Sequence, residues 1–255
     1  MITISISKIK GGVGKTSVAS TLAAGLNAKG KKVLMIDADP QSNLTMCFLP
    51  ELSDEAPSLY SVYKGKSIDE VKVPVKKGLD LVCGDFSLCN ADIEFLNAGR
   101  LTMLKKAFKN MKEEYDFVVI DNPPNLGILT LNSFIVSQYV IVPSLADTFS
   151  LKGEKLLKEV LDSVSQEIER EIPVAGILLT RYNRRTNVSR LLESSLQKAA
   201  EMLDTRVFET RIRQGVAIQE CQIAKESLFT YAPKAPITDD YRRFVDEFLE
   251  RVGVN

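Results

Sequence analysis

Residues 10–16 read Lys-Gly-Gly-Val-Gly-Lys-Thr and place two lysines around a glycine-rich turn. An apolar run, Ile2–Ile6, precedes the turn, and a stretch of helical character begins at Lys15. A strand, a glycine loop and a helix N-terminus in this order direct backbone N–H groups toward one anion, which favours phosphate binding. Lys15 would reach the β- and γ-phosphates of a nucleotide, and the Thr16 hydroxyl would ligate Mg²⁺.

This glycine-rich loop departs from the strict phosphate-loop pattern at one position. The strict pattern has a glycine five residues before Gly14, whereas Ile9 stands there and is followed by a second cation, Lys10. A glycine-rich turn on its own is often only a turn. It therefore indicates a nucleotide site only together with further motifs elsewhere in the chain. The residues predicted to contact a nucleotide are Lys10, Gly11, Gly12, Val13, Gly14, Lys15, Thr16 and Ser17.

Three carboxylates follow apolar runs of the kind expected for buried strands. Asp37 and Asp39 follow the second such run, and Asp121 follows the fourth. In an open α/β sheet, ligands bind beyond the carboxyl ends of the strands, so these side chains should face the glycine-rich loop. A lone carboxylate after four apolar residues is typical of the Walker B position, and Mg²⁺ needs only one or two protein oxygens. Thr16 and Asp121 would supply them, and the two motifs in this order predict a nucleotide site.

The length and composition favour one α/β domain over residues 1–255, because 45% hydrophobic residues in a chain of 255 can bury one sizeable core. Runs rich in valine, isoleucine and leucine alternate with amphipathic segments, which indicates a mainly parallel, twisted sheet with helices on both faces. With the glycine-rich loop after the first strand, the expected fold class is α/β of the P-loop NTPase type. Strands are predicted at 2–7, 32–36, 79–83, 117–120, 139–143 and 174–180. Helices are predicted at 15–28, 101–112, 126–136, 151–169, 188–203 and 239–252. The proline- and charge-rich stretch 50–77 is expected to be a surface excursion with short helices.

The composition also excludes several kinds of site. The chain has no histidine, which rules out histidine metal sites and histidine acid–base catalysis. The four cysteines, at positions 47, 83, 89 and 221, form no Cys-x-x-Cys pair, which favours reduced thiols over a zinc or redox site. The net charge is zero, so any nucleic-acid site must be a local patch. Without a charged leader or a long apolar segment, the protein is expected to be cytoplasmic.

Taken together, these motifs resemble those of the ParA/MinD family of deviant Walker A ATPases, and within it the Soj-like ParA partition proteins. The loop at 10–16 is similar to the family signature KGGVGKT, and residues 37–41 are similar to its DxDPQ element. The further matching segments are 121–127 (DTPPSLG, with Asn122 and Asn125 substituted), 176–180 (GVLLT) and 184–187 (RRTN). The resemblance covers nearly the whole chain, and its separate motifs fall in the family's order.

The resemblance implies a site that hydrolyses ATP with Mg²⁺ in a homodimer. Lys15 would bind the phosphates, and Lys10, as the signature lysine, would reach into the site of a second copy when two chains sandwich two ATP molecules. A cation beside the γ-phosphate neutralises charge that develops during phosphoryl transfer. Asp39 matches the family carboxylate that orients or activates the attacking water, and Asp37 with Asp121 would support Mg²⁺. The alternative role for Asp37 is that of a strand-end carboxylate that caps the next turn.

The stretch 181–213 shifts the local charge, since it holds eight basic and four acidic residues in a chain without net charge. Such a patch can bind phosphate backbones without reading bases. The resemblance implies nonspecific DNA binding by the ATP-bound dimer through the part at about 181–218, with Arg184, Arg185, Arg211 and Arg213 as candidates. Ala217 stands where the family has a further arginine, and a solvated basic face is the alternative interpretation.

The resemblance also implies partners and a place in the cell. A ParB-like centromere-binding or adaptor protein would stimulate a weak intrinsic ATPase activity and so release the dimer from the nucleoid. Because no segment precedes the first strand, the additional DNA-binding domain of the longer partition ATPases is not expected. One sequence does not identify the partner's binding site, nor whether the cargo is a plasmid, a chromosome or another body.

Four alternatives stand beside the partition ATPase. A MinD-type membrane-cycling ATPase needs a basic amphipathic C-terminal helix, whereas acidic residues outnumber basic ones five to three in 239–252. An iron–sulphur carrier of the same superfamily needs closely paired cysteines, which this chain lacks. A ParA-like ATPase that positions chemoreceptors or microcompartments would share the chemistry and differ in its adaptor. A nucleotide-dependent binding module without hydrolysis is the fourth.

Overall fold

The computed structural model describes residues 1–50, 56–95, 99–145, 151–182 and 189–254. The strands within these ranges are β1 (Ile2–Ile6), β2 (Val33–Asp37), β3 (Val73–Lys76), β4 (Leu79–Val82), β5 (Phe117–Asp121), β6 (Tyr139–Leu145), β7 (Val174–Tyr182) and β8 (Val207–Arg213). The α-helices of the same ranges are α1 (Lys15–Ala28), α2 (Asn43–Met46), α3 (Leu59–Tyr63), α4 (Ile68–Val71), α5 (Ala91–Glu94), α6 (Met103–Asn110), α7 (Ile128–Val136), α8 (Leu151–Glu167), α9 (Ser189–Met202), α10 (Ala217–Ile223), α11 (Leu228–Tyr231) and α12 (Pro236–Arg251). Two 3₁₀ helices lie at Phe86–Asn90 and Arg100–Thr102.

The eight described strands form one sheet in the order β3-β4-β2-β5-β1-β6-β7-β8. Every neighbouring pair is parallel except β3 with β4, which is antiparallel. Strand β1 lies between β5 and β6, so the loop that follows β1 emerges at the middle of the carboxyl edge of the sheet. The chain continues from β1 toward one edge of the sheet and from β6 toward the other. Ligands bind at such a switch point in open α/β sheets. The predicted fold class is confirmed.

Both faces of the sheet are covered because alternate side chains of a strand point to opposite faces. In β2, Val33 and Met35 join the core beneath α1 and α12, whereas Leu34 and Ile36 join the core beneath α3, α6 and α7. A third core lies between β6, β7 and the helices α8 and α9. Strands buried on both faces read as continuous apolar runs, which is why the central ones were predictable from sequence.

The C-terminal helix α12 buries its apolar face against the sheet and α1. Phe244, Val245, Phe248 and Leu249 are all buried. The two helices approach closely at Gly25, where an added Cβ would lie 2.6 Å from a methyl group of Val245. The predicted packing of this helix on the core is therefore confirmed. No helix in the described part of the chain combines the length and apolar character needed to cross a bilayer.

The structure confirms the six predicted strands, with ends shifted by one or two residues, and it adds two that were not predicted, β3 and β8. Both lie at the edges of the sheet. Of the predicted helices, α1 has the bounds predicted for it, while the later long helices begin or end a few residues away. Short helices α3 and α4 occupy part of the predicted excursion at 50–77.

Candidate functional site

The glycine-rich loop between β1 and α1 has the backbone shape of an anion-binding turn. Gly12 and Gly14 have φ angles of 73° and 87°, in the left-handed region that favours glycine. A Cβ added to Gly11 or Gly12 would meet no atom within 4 Å, so the space in front of the loop is open. Helix α1 starts directly after the loop, and its positive end faces this space. The geometry suits a phosphate group.

A hydroxyl from β7 holds this loop from the side. Thr180 Oγ1 donates to the carbonyl oxygen of Val13 at 2.8 Å and lies 3.2 Å from the carbonyl oxygen of Ser144. Thr180 is buried, with 3% of its surface exposed. The loop is therefore anchored to strands on its far side as well as to the helix that follows it. Sequence reasoning missed this contact, because it joins residues 167 positions apart.

Thr16 and Asp121 meet where the loop faces the carboxyl end of β5. The Thr16 hydroxyl donates to Asp121 Oδ2 at 2.6 Å. Asp121 is fully buried, and its Oδ1 accepts no hydrogen bond from any described residue. Burial and then the charge of Asp37 raise the pKa of Asp121 well above its ordinary value, while the Thr16 hydrogen bond and Lys15 act in the opposite direction.

These two side chains fit a magnesium ion. A hydroxyl beside a buried carboxylate oxygen that lacks a protein donor provides hard oxygen ligands, which Mg²⁺ prefers. No cluster of three or more cysteine, aspartate or glutamate side chains that could hold a metal occurs in the described ranges. That is compatible with Mg²⁺, which usually takes one or two protein groups and fills its other positions with water and phosphate.

Lys15 lies beside the same carboxylates at the start of α1. It is buried, with 7% of its surface exposed. Burial lowers the pKa of its ammonium group, and the negative charges of Asp121 and Asp39 oppose that shift. A lysine held between two carboxylates and an open anion-binding loop is placed to pair with phosphate oxygens, as its sequence position predicts.

Asp37 is occupied by contacts within the chain. Its Oδ2 accepts from the backbone N–H and the hydroxyl of Thr45, both at 2.8 Å, and its Oδ1 accepts from the Asp39 N–H at 3.2 Å. Burial raises the pKa of Asp37 to about 7, although these hydrogen bonds lower it. The arrangement is the one expected of a carboxylate that caps the turn after a strand, and the magnesium role of Asp37 stays a prediction.

Asp39 stands at the wall of the open cleft. One of its oxygens, Oδ1, accepts from the Gln41 N–H at 2.9 Å, which fixes the orientation of the carboxylate. Gly84, two residues after β4, packs closely against the same turn, since an added Cβ there would lie 3.0 Å from the carbonyl oxygen of Asp39. The carboxylate is therefore held by rigid neighbours while the residue still faces the cleft.

The cleft has a volume of about 620 Å³ and is bounded by the glycine-rich loop, the 39–47 turn and α10. From the predicted set it is lined by Gly11, Gly12, Gly14, Lys15, Thr16, Ser17 and Asp39. Lys10 is exposed on the loop and is not among the lining residues. Val13 is buried beneath the loop, so its contribution is through its backbone.

One wall of the cleft was not predicted. It comes from α10 and the residues after it, through Gln219, Gln222, Ile223 and Lys225. Gln222 Nε2 donates to Ser17 Oγ at 3.4 Å, and the Lys225 ammonium donates to the carbonyl oxygen of Met46. These contacts join α10 and the residues after it to the start of α1 and to the 39–47 turn. No motif in the sequence marked them.

The structure describes two of the four candidate DNA-binding arginines in the basic stretch 181–213. Arg184 and Arg185 lie outside the described residues. Arg211 is exposed on the edge strand β8, and its guanidinium lies over the Tyr182 ring, 5.1 Å from the ring centroid. Arg213 forms two hydrogen bonds with Asp240, from Nε at 2.6 Å and Nη2 at 2.8 Å. This pairing offsets the charge of Arg213 and joins β8 to α12, so the residue has a structural role beside its predicted one.

Comparisons with known proteins agree with this geometry. A family model described as an AAA domain matches residues 1–174. The chromosome-partitioning ATPase Soj of Thermus thermophilus is 34% identical over 98% of this chain and 96% of its own. The sporulation initiation inhibitor protein Soj of Bacillus subtilis is 30% identical over 91% of this chain and 92% of its own. A crystal structure of cobyrinic acid a,c-diamide synthase from Mycobacterium smegmatis, with bound ADP and magnesium, superposes with a TM-score of 0.83 at 27% identity and covers 99% of this chain and 95% of that one.

Proposed function

The chain belongs to the ParA/MinD family of deviant Walker A ATPases, and on this basis we propose that it works as an ATP-driven partition protein. It binds ATP with Mg²⁺, dimerises in that state, holds DNA without sequence preference and leaves the DNA when a partner stimulates hydrolysis. The observation that carries the proposal is the contact of Thr16 with Asp121 beside the buried Lys15, in a chain whose relatives include chromosome-partitioning ATPases.

Binding rests on the loop and on Lys15. The backbone N–H groups of the open loop and the α1 N-terminus receive the phosphate oxygens, and Lys15 pairs with the β- and γ-phosphates. Mg²⁺, when bound, would be held by Thr16 and Asp121 and would neutralise charge on the phosphates. Lys15 keeps its place because Asp121 and Asp39 offset part of the cost of burying its charge.

Hydrolysis forms a bond from a water oxygen to the γ-phosphorus and breaks the bond between that phosphorus and the oxygen bridging to the β-phosphate. Asp39 orients the water and accepts its proton, a role supported by its fixed orientation at the cleft wall. Lys10 of a second copy neutralises the charge that develops on the transferred group. The exposure of Lys10 on the loop supports a contact made between copies.

DNA binding is assigned to the part at about 181–218. Arg211 is exposed on the edge strand β8, and Arg206, just before that strand, is also exposed. Arg184 and Arg185 are further candidates for DNA contact, identified from the sequence alone. Contacts of this kind are made to phosphates, so affinity should fall steeply with salt. A ParB-like partner that stimulates hydrolysis would turn DNA binding off, and the same cycle could move another cargo through another adaptor.

The test of this proposal compares wild type with Asp39→Ala and Lys15→Ala. With Asp39→Ala we expect ATP-dependent dimers in sedimentation and DNA binding as in wild type, but no phosphate release. With Lys15→Ala we expect loss of ATP binding and of both later steps. A matched control is Asp116→Asn, since Asp116 is exposed at the other end of β5. Phosphate release that persists in Asp39→Ala would show that another group activates the water.

A further inference from the structure

The chain from Asp37 to Gln41 makes two consecutive Asx turns. Asp37 Oδ1 accepts from the Asp39 N–H at 3.2 Å, and Asp39 Oδ1 accepts from the Gln41 N–H at 2.9 Å. An aspartate that accepts from the backbone N–H two residues ahead fixes the direction in which the chain continues. The place of Asp39, to which the proposed function assigns the attacking water, therefore depends on the orientation of the Asp37 carboxylate.

Thr45 holds the other oxygen of Asp37. The backbone N–H and the hydroxyl of Thr45 both donate to Asp37 Oδ2 at 2.8 Å. The same hydroxyl oxygen accepts from the Gly84 N–H at 3.0 Å, and its single proton is used on Asp37. Thr45 is 5% exposed and Asp37 is fully buried. A buried network in which each of these groups has its partner makes its surroundings rigid.

The bonds between Asp37 and Thr45 close the 37–45 segment around a strained residue, Ser42. With φ 55° and ψ 29°, Ser42 has the left-handed conformation that favours glycine, whereas a residue before a helix normally lies in the β region. Its N–H donates to the carbonyl oxygen of Asp39 at 2.9 Å. Such a conformation persists where the surrounding structure over-determines it. The bonds from Thr45 supply this constraint, because they join the two ends of the segment.

Thr45 has no place at the surface of the nucleotide cleft. Of the described residues, Asp39 lines that cleft and Thr45 does not. A reacting group that is misplaced by about 1 Å can lower a rate by about a hundredfold. A residue that holds Asp39 in place can therefore change hydrolysis without touching ATP. ATP affinity depends on other elements, the glycine-rich loop and Lys15.

We propose that Thr45 is a positioning residue for hydrolysis: its hydroxyl, acting through Asp37, sets the orientation of the Asp39 carboxylate toward the attacking water. The assignment rests on the proposed function, since Asp39 must be the group that activates the water. Thr45 then determines the rate of phosphate release and leaves the affinity for ATP unchanged.

The experiment measures single-turnover phosphate release with ATP and Mg²⁺, and ATP affinity by calorimetry, for wild type, Thr45→Val and Thr45→Ser. Valine keeps the shape of threonine but leaves the Gly84 N–H without its acceptor and Asp37 Oδ2 with one donor fewer. We expect the rate in Thr45→Val to fall about tenfold while ATP affinity stays within about twofold. Thr45→Ser keeps the hydroxyl and should release phosphate at close to the wild-type rate.

A second set of variants separates positioning from a general loss of structure. Ser42→Gly relieves the left-handed conformation, so alone it should leave the rate unchanged. Added to Thr45→Val, it should recover about threefold or more of the lost rate, because the 37–45 segment then needs less constraint to keep its shape. Glu169→Gly is the matched control, since it relieves the same conformation beyond the end of α8 and should recover nothing.

Three results would overturn the assignment. They are an unchanged rate in Thr45→Val, equal rates in the valine and serine variants, and a loss of ATP affinity as large as the loss of rate. Equal recovery by Ser42→Gly and Glu169→Gly would also contradict it. The proposed function fails in a different way. Phosphate release that persists in Asp39→Ala would remove Asp39 from hydrolysis, and Thr45 would then have no catalytic group to position.

Discussion

The Thr16 hydroxyl donates to Asp121 Oδ2 across 2.6 Å, which joins the first turn of α1 to the carboxyl end of β5. Strands β2 and β5 pair so that Asp37 lies directly opposite Asp121. Two carboxylates are thus buried side by side at the point where the glycine-rich loop meets the sheet. Burial and the charge of Asp37 raise the pKa of Asp121 well above its ordinary value, and the Thr16 hydrogen bond and Lys15 offset only part of that shift.

The first prediction concerns Asp121→Asn. The buried oxygen that has no donor is the one we assign to Mg²⁺, and an amide is a poorer ligand than a carboxylate. We expect Mg²⁺ to strengthen ATP binding in wild type and that gain in affinity to fall at least tenfold in the variant. ATP affinity in EDTA should change little, because burial and the charge of Asp37 already raise the pKa of Asp121 and favour its neutral form, which the amide resembles. Calorimetric titrations with and without Mg²⁺ check this, and an undiminished gain would show that Asp121 does not hold the metal.

The second prediction concerns Thr180, whose hydroxyl anchors the glycine-rich loop. Thr180→Val keeps the shape but leaves a buried carbonyl oxygen without its donor, which costs about 1–3 kcal/mol. We expect lower stability to urea and weaker ATP binding, because the loop loses a lateral support. Thr180→Ser keeps the hydroxyl and serves as the control. If the valine and serine variants matched in stability and ATP affinity, the hydrogen bond would have no part in shaping the loop.

The third prediction concerns Asp240, which binds Arg213 and Arg243 at the junction of β8 and α12. Burial raises the pKa of Asp240, but the hydrogen bonds from Arg213 outweigh it and the net pKa is lowered. A lowered pKa in the folded state adds stability above the unfolded pKa, and that stability is lost as pH falls through the folded value. Asp240→Asn should therefore destabilise the protein by about 2 kcal/mol at pH 7, and the cost should shrink as the pH is lowered to 3 and below.

Asp239→Asn is the control for this pH dependence, since Asp239 is the neighbouring residue and its ion pair with Arg242 is exposed. Its effect should be within about 0.5 kcal/mol at either pH. Urea denaturation of the three proteins at both values gives the comparison. A cost for Asp240→Asn that did not shrink on acidification would mean that the carboxylate charge is not what stabilises the junction.

The fourth prediction concerns the buried ion pair of Lys8 with Glu154, which ties the segment before the loop to α8. Glu154 Oε2 is buried and accepts no hydrogen bond from the described residues. Removing one partner leaves the other charge buried, so Glu154→Gln should cost about 3 kcal/mol. The double variant Lys8→Met with Glu154→Leu should recover most of that stability. Urea denaturation of the single and double variants measures the coupling, and additive losses would argue against a buried pair.

Much of the site could be predicted because its residues are close together in sequence or end apolar runs. Residues 10–17 are contiguous, Asp39 follows β2 and Asp121 ends β5, and both strands have side chains buried on both faces. Such strands give continuous apolar runs, and their carboxyl ends meet at one edge. The sequence pattern therefore places Lys15, Asp39 and Asp121 together without knowledge of the helices that cover them.

The missed elements lie where the pattern is weak. Strand β8 buries Phe208 and Ile212 among exposed charged residues, so as an edge strand it resembles a basic surface segment. Strand β3 contains Pro74, which favours a loop unless the strand is at an edge. The contact of Thr180 with Val13 and the pair of Lys8 with Glu154 join distant positions, and nothing in one sequence reports such pairings.

The central claim is that ATP binding switches this protein onto DNA, and one measurement tests it most directly. The affinity of wild type for a duplex of arbitrary sequence is measured at fixed salt with Mg²⁺ and ATP, with Mg²⁺ and ADP, and without nucleotide. We predict binding at least tenfold tighter with ATP than in the other two states, because the proposed ATP-bound dimer would present two basic surfaces to one duplex. Equal affinity in all three states would contradict the account.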